Sequence, residues 1–251
     1  MKRKTHNIIY RRIRSQLGSI RDVYLAPRDI DTYHDFSDGK DVVLLVHGFF
    51  QTRNIWDAME RRLRHDGYAV MSFNQHGSFS RLNTQPIDSL AQALARKIEH
   101  LSNTHGFEKI HIVGHSKGGI VGRRYVQHFG GAQRVKSLTT LGTPHYGTPI
   151  AIAGLALFML SNNPKELLPS SRILRAINKD PFPSNIPLTS IYSKSDLLCP
   201  HWCSHLRPRV GESSMKNISI SGIGHSELTW DPTVYQHVRE QLRNAEAAKR
   251  G

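Results

Sequence analysis

The chain is poor in cysteine. Its 251 residues include two, Cys199 and Cys203. That excludes a disulfide framework and suits a reducing compartment. Acidic residues are also scarce, with 20 Asp and Glu against 34 Lys and Arg, a formal charge of +14. Long apolar runs are missing. The longest, Ile150–Leu160, is about half of what a bilayer span requires. No basic start runs into an unbroken apolar stretch with a small-residue cleavage site, so no secretory signal is read and a cytoplasmic setting is expected. There is no internal repeat and no low-complexity linker. What remains is the size of one α/β domain over residues 1–251, long enough to bury a large core without staples.

The charge is unevenly spread. Residues 1–28 carry eight basic side chains (Lys2, Arg3, Lys4, Arg11, Arg12, Arg14, Arg21, Arg28) against Asp22. Such a head is either a solvated arm or a contact to an anionic surface. Ile9, Ile13, Leu17 and Ile20 follow helical spacing, so two readings stand. One is a basic amphipathic helix on a lipid surface; the other is a helix docked on the domain with its polar face outward. Nucleic acid is not expected, because no basic motif with interleaved aromatics accompanies the charge. Cys199, His201, Cys203 and His205 have the composition of a zinc set. Their i, i+2 alternation does not match paired ligand spacing, and no metal or cofactor is expected.

Apolar β-rich runs alternate with helical patterns. Val42–Val46, Ala69–Phe73, Ile110–Val113, Ser137–Leu141, Leu188–Tyr192 and Asn217–Ser221 read as strands. Asn54–Asp66, Pro86–Ser102, a segment ending near Phe129, and a stretch opened by Asp231-Pro232 read as helices; Asp as N-cap and Pro at the first turn mark the last start. Repeated strand–helix alternation implies an α/β fold, a mostly parallel sheet with helices on both faces. Residues 144–187 break the pattern with more than forty residues and no clear strand. So long an apolar stretch reads as a short lid or cap insertion, the alternative being an ordinary core helix.

Residues 114–119 read Gly-His-Ser-Lys-Gly-Gly, directly behind a predicted strand and ahead of a predicted helix. A serine between two glycines on a strand-to-helix turn resembles the nucleophile turn of α/β-hydrolases. A serine hydroxyl needs a base, and the base needs a carboxylate to hold its tautomer. In that superfamily the chain order is serine, acid, histidine. Four carboxylates follow Ser116 before the last predicted strand loop: Glu166, Asp180, Asp196 and Glu212. Asp196 stands just past the end of a predicted strand, where the acid is expected. Glu166 and Asp180 lie inside the long stretch, and Glu212 precedes a strand. His225 follows the last predicted strand in Gly-Ile-Gly-His-Ser and is the expected base. His201 and His205 crowd the Asp196 loop, and His237 falls within the last helix. For the oxyanion, the expected donors are the backbone amides of Lys117 and of Phe49, the latter in the turn His47-Gly48-Phe49-Phe50. Phe50 is expected to line the acyl pocket, and His47 to shape the loop.

These motifs together resemble the bacterial lipase/esterase branch of the α/β-hydrolase superfamily. The matching pieces are Val46–Phe49, Gly114–Gly119, Leu141–Thr148, Ser193–Pro200 and Gly224–Ser226, and they span residues 42–240 in order. The Gly-Thr-Pro-His-Tyr-Gly-Thr element is the most specific; in similar lipases it leads into the lid. The resemblance implies Ser116, Asp196 and His225 as a triad, with Phe49 and Lys117 as oxyanion donors. Lys117 departs from the family, where Met or Gln is commoner. The expected activity is cleavage of carboxylic esters with an apolar acyl chain, on an ester or lipid small molecule, with peripheral contact to an anionic membrane surface. Thioesterase, phospholipase and acyltransferase chemistry use the same triad and stay open, as does a non-catalytic binding protein on this scaffold.

Overall fold

The computed structural model describes residues 40–49, 51–73, 85–150, 163–209, 212 and 214–247. The basic segment 1–28, Phe50 and the run from residue 151 to 162 lie outside the described residues. Six parallel strands form one sheet among them: β1 (Val42–Val46), β2 (Ala69–Phe73), β3 (Ile110–His115), β4 (Val135–Leu141), β5 (Leu188–Ser193) and β6 (Met215–Ile220). Their spatial order is β2-β1-β3-β4-β5-β6. The main helices are α1 (Asp57–His65), α2 (Ile87–His105), α3 (Lys117–His128), α4 (Arg172–Lys179) and α5 (Pro232–Ala247). A single 3-10 turn, Arg53–Trp56, precedes α1 where one continuous helix from Asn54 was expected.

The strands read as continuous apolar runs because both faces are covered. Successive side chains point to opposite faces. Val42, Leu44 and Val46 therefore join one core, with Leu90, Leu94 and Ile98 of α2 and Ile120, Val121 and Tyr125 of α3. Val43 and Leu45 join the other, with Met59 and Leu63 of α1 and Val234, Val238 and Leu242 of α5. Asp231 caps α5 as expected, its Oδ1 accepting the N–H groups of Thr233 and Val234 at 2.8 and 3.1 Å. In the stretch 144–187, Leu167, Leu174, Ile177, Phe182 and Ile186 are buried in the same core as α2 and α3. Its described second half is thus packed core, held to α3 by Arg123 donating to Asn178 at 2.9 Å.

The strand order has a functional consequence. From β1 the chain moves outward to β2, then returns to the other side of β1 for β3. Connections from β1 and β3 therefore leave in opposite directions, which opens a crevice at their carboxyl ends. The turns that end β1 and β3 are His47–Phe49 and Ser116–Lys117.

Candidate active site

Ser116 stands between the last residue of β3 and the first of α3. Its backbone has φ 54 and ψ −126, and among the described residues no other non-glycine residue has positive φ. Such a conformation costs about 1–3 kcal/mol and persists where surroundings over-determine it. Here the Ser116 N–H donates to the Leu141 carbonyl at 2.9 Å, and the Gly119 N–H donates to the Ser116 carbonyl at 3.1 Å. The flanking glycines are demanded by contact. A Cβ on Gly114 would lie 2.6 Å from the Gly119 Cα, and one on Gly118 would strike the Val46 carbonyl. The turn is thus pressed between the ends of β1 and β4.

The acid and base meet across the ends of β5 and β6. His225 Nδ1 lies 2.6 Å from Asp196 Oδ2, and both residues are buried. Asp196 Oδ1 is occupied separately, accepting the N–H groups of Leu198 and Cys199 at 2.8 Å each. These amides fix the carboxylate's rotation, so one oxygen is left to face the imidazole. The Nδ1–H of His225 is thereby pinned and its Nε2 is left as the basic nitrogen. Gly142, which follows the Leu141 that binds Ser116, is the bridge between these parts. A Cβ there would lie 3.2 Å from His225 Nδ1 and 3.3 Å from Asp196 Oδ2.

The other candidate acids are engaged elsewhere. Glu166 accepts the Ile87 N–H at 2.8 Å, at the start of α2. Asp180 faces His128 at 3.2 Å. Glu212 accepts the N–H groups of Phe182 and Arg209. His205 faces the Tyr192 hydroxyl at 3.0 Å, and His237 lies 3.8 Å from Glu240. The Cys–His loop is likewise committed, with Cys199 Sγ 3.1 Å from the Ser204 hydroxyl. Among the described residues, the group with metal-ligand spacing is Asp41, His111 and Glu246. It sits at the opposite end of the sheet, where Lys136 is paired with Asp41.

The turn after β1 comes against the serine. A Cβ on Gly48 would fall 2.7 Å from Ser116 Cβ, so glycine is required for this approach. The Gly48 N–H donates to Gln51 Oε1 at 2.7 Å. With that amide committed, Phe49 is the next N–H along the turn. Lys117 offers the first N–H of α3, where amides and the helix dipole favour an anion. The Lys117 side chain leaves the serine: it is fully buried, and Nζ donates to the Gln85 carbonyl at 2.5 Å, above the Phe49 ring at 5.4 Å. Burial drives its pKa down to about 7, against the opposing pull of Glu166. His47 is fully buried, with Nδ1 3.2 Å from the Gly48 carbonyl and its pKa lowered by burial to about 4, in keeping with a residue that shapes the loop.

Sequence reasoning passed over Gln51 and His115. His115 Nδ1 lies 2.8 Å from Gln51 Oε1, and its Nε2 lies 3.0 Å from the His225 carbonyl. The adjacency of His115 to the serine was visible, but nothing in spacing announced its partners.

A six-stranded parallel sheet with a strained serine turn at its switch point defines a class, and comparison agrees. Residues 41–166, half of the chain, match the α/β-hydrolase fold family. The chain belongs to that family. Over 115 residues it is 35% identical to a triacylglycerol lipase of Pseudarthrobacter phenanthrenivorans, covering 43% of this chain and 34% of that one. A triacylglycerol lipase of Burkholderia plantarii matches at 35% over 115 residues, 43% of this chain and 31% of that one. The chain therefore spans about a third of the length of these curated relatives. Among solved structures, the mature form of a Bacillus licheniformis lipase superposes with a TM-score of 0.65 at 15% identity, over 85% of this chain and 96% of that one. That similarity speaks for the fold.

Proposed function

We propose that this chain is a serine hydrolase that cleaves carboxylic esters with an apolar acyl chain. The observation that carries the reading is the buried 2.6 Å contact between Asp196 and His225, set beside the strained Ser116 turn. Ser116 Oγ attacks the ester carbonyl while His225 Nε2 takes its proton. Asp196 holds the Nδ1–H tautomer and steadies the imidazolium. The Phe49 and Lys117 amides receive the developing oxyanion. His225 then returns the proton to the leaving alcohol, which departs and leaves an acyl ester on Ser116. Water deprotonated by the same His225 releases the acid. Ser116→Ala is expected to abolish turnover of nitrophenyl esters and labelling by a fluorophosphonate, with an unchanged circular dichroism spectrum. Turnover like that of the native chain in this variant would falsify the assignment.

The apolar acyl preference rests on what surrounds the Asp196 loop. Leu197, Leu198, Trp202 and Ile150 are exposed large apolar side chains. Thr148 Oγ1 donates to the Leu198 carbonyl at 2.9 Å and accepts the Ile150 N–H at 3.3 Å, which ties the Ile150 backbone to the same loop. An apolar rim of this kind, with the basic segment 1–28, supports a lipid substrate and contact with an anionic membrane surface. Sedimentation with anionic and with neutral liposomes tests the contact. Capture by anionic vesicles that falls at high salt is expected; equal capture by both sets would remove the electrostatic part. The same rim suits phospholipase, thioesterase or acyltransferase chemistry, which a panel of esters, thioesters and alcohol acceptors separates.

A further inference from the structure

His115 occupies an unusual position. It is the last residue of β3, it precedes Ser116, and its ring is fully buried. The Trp56 ring lies 6.3 Å from the His115 ring, centre to centre and near perpendicular to it, and the His225 ring lies 4.6 Å from it. The polar contacts have defined directions. The His225 carbonyl can only accept, so His115 Nε2 must carry a hydrogen to make that 3.0 Å contact. The Gly48 N–H can only donate, so the Gln51 atom facing it at 2.7 Å is the oxygen. That same oxygen lies 2.8 Å from His115 Nδ1. The carboxamide oxygen is thus held by the Gly48 turn, and the ring reaches onward to the loop of the base through Nε2.

Resting on the reading of Ser116, Asp196 and His225 as a serine-hydrolase triad, we propose that His115 is a positioning residue: its Nε2–H holds the backbone of His225. The arrangement sets the base against the strand end to which Ser116 is covalently joined. Asp196 orients the His225 ring from its far side through Nδ1; His115 fixes the peptide from which that ring projects. The two holds are independent, and both are required for Nε2 to meet the serine. Burial first, and then the neighbouring His225 ring, push the His115 pKa well below the ordinary imidazole value. The ring is therefore neutral and has one N–H to give. Placing it at Nε2 serves the base and leaves Nδ1 without a hydrogen, so the directional bond of this ring is the one to the His225 carbonyl.

The experiment uses replacements that keep one arm at a time. His115→Gln places an amide near the position of Nε2, His115→Asn places one near Nδ1, and His115→Phe keeps the ring without either. On a soluble nitrophenyl ester, H115F is expected to lose about 10-fold to 100-fold in kcat with little change in KM, the signature of misplaced chemistry. H115Q recovers a substantial part of that loss and H115N does not. Melting temperatures accompany each variant, so a loss of kcat is read only in folded protein. Two results overturn the proposal: kcat of H115F within about twofold of the native chain, or H115N recovering better than H115Q. Ser116→Ala separates this from the function itself. If Ser116→Ala is inactive and H115F is unimpaired, the positioning role fails alone; if Ser116→Ala stays active, the hydrolase reading fails.

Discussion

Lys117 offers a measurement of how the site is built that needs no substrate. Its amine is buried beside the start of α2, and its pKa falls from 10.5 to about 7. Between those values the folded chain binds fewer protons at this position than the unfolded chain. Stability attributable to Lys117 therefore rises with pH across that window, and is fully present only above the unfolded value. Each pH unit is about 1.4 kcal/mol, so the gap from 10.5 to about 7 accumulates to about 5 kcal/mol. Lys117→Met keeps the length of the side chain and removes the charge. It also removes the hydrogen bond to the Gln85 carbonyl, about 1 kcal/mol at any pH. Urea unfolding of both chains at a series of pH values is the assay. The stability of K117M relative to the native chain is expected to be highest near pH 7 and to decline by about 1.4 kcal/mol per unit toward pH 10. The tyrosines raised by burial, Tyr68, Tyr125 and Tyr235, are common to both chains and cancel in the difference. A difference that stays flat from about pH 7 to about pH 10 would refute the burial of a cation at this point.

Asp196→Asn is expected to keep the loop intact, since the amide oxygen can still accept the Leu198 and Cys199 N–H groups. Its NH2 would then oppose the Nδ1–H of His225, and kcat should fall by about 10⁴ at neutral pH with an unchanged melting temperature, as a wrong histidine tautomer does in serine proteases. A fall of less than about tenfold would remove Asp196 from the role of acid. Gly118→Ala drives a methyl group into the Val46 and His47 carbonyls, which are backbone and cannot swing away. Overpacking of this kind costs about 1–3 kcal/mol, which calorimetry should read as a melting temperature lower by roughly 2–12 °C; no shift would mean that the strand end yields.

Much of the fold was legible because it is written in patterns that local rules read. Val42–Val46 is a five-residue apolar run, and a parallel strand covered on both faces has that look. The strands of the sequence reading shifted by at most two residues, and β3 was extended through Gly114 and His115 to the serine. Asn54–Asp66 was less legible. Its apolar residues suit either kind of helix, and the choice between a 3-10 turn at Arg53–Trp56 and an α-helix turns on how Ile55 and Trp56 enter the core. The second half of 144–187 was ambiguous for a similar reason, since a stripe of leucine and isoleucine reads the same on a lid or in a core. Tertiary packing put Leu174 and Ile177 in the core.

By itself, the sequence determined the alternation of strands and helices, the serine turn with its obligatory glycines, and an acid and a histidine in hydrolase order. Those features depend on neighbours a few residues apart, or on chain order alone. Only the tertiary structure decided which groups meet. Asp196 Oδ2 faces His225 because Leu198 and Cys199 hold the other oxygen. Gln51 and His115, 64 residues apart, come within 2.8 Å because β1 and β3 are neighbours in the sheet. The side chain of Lys117 turns toward α2 although its amide stays at the serine. Such contacts depend on strand order and on competition for each donor and acceptor, and neither is encoded in local spacing.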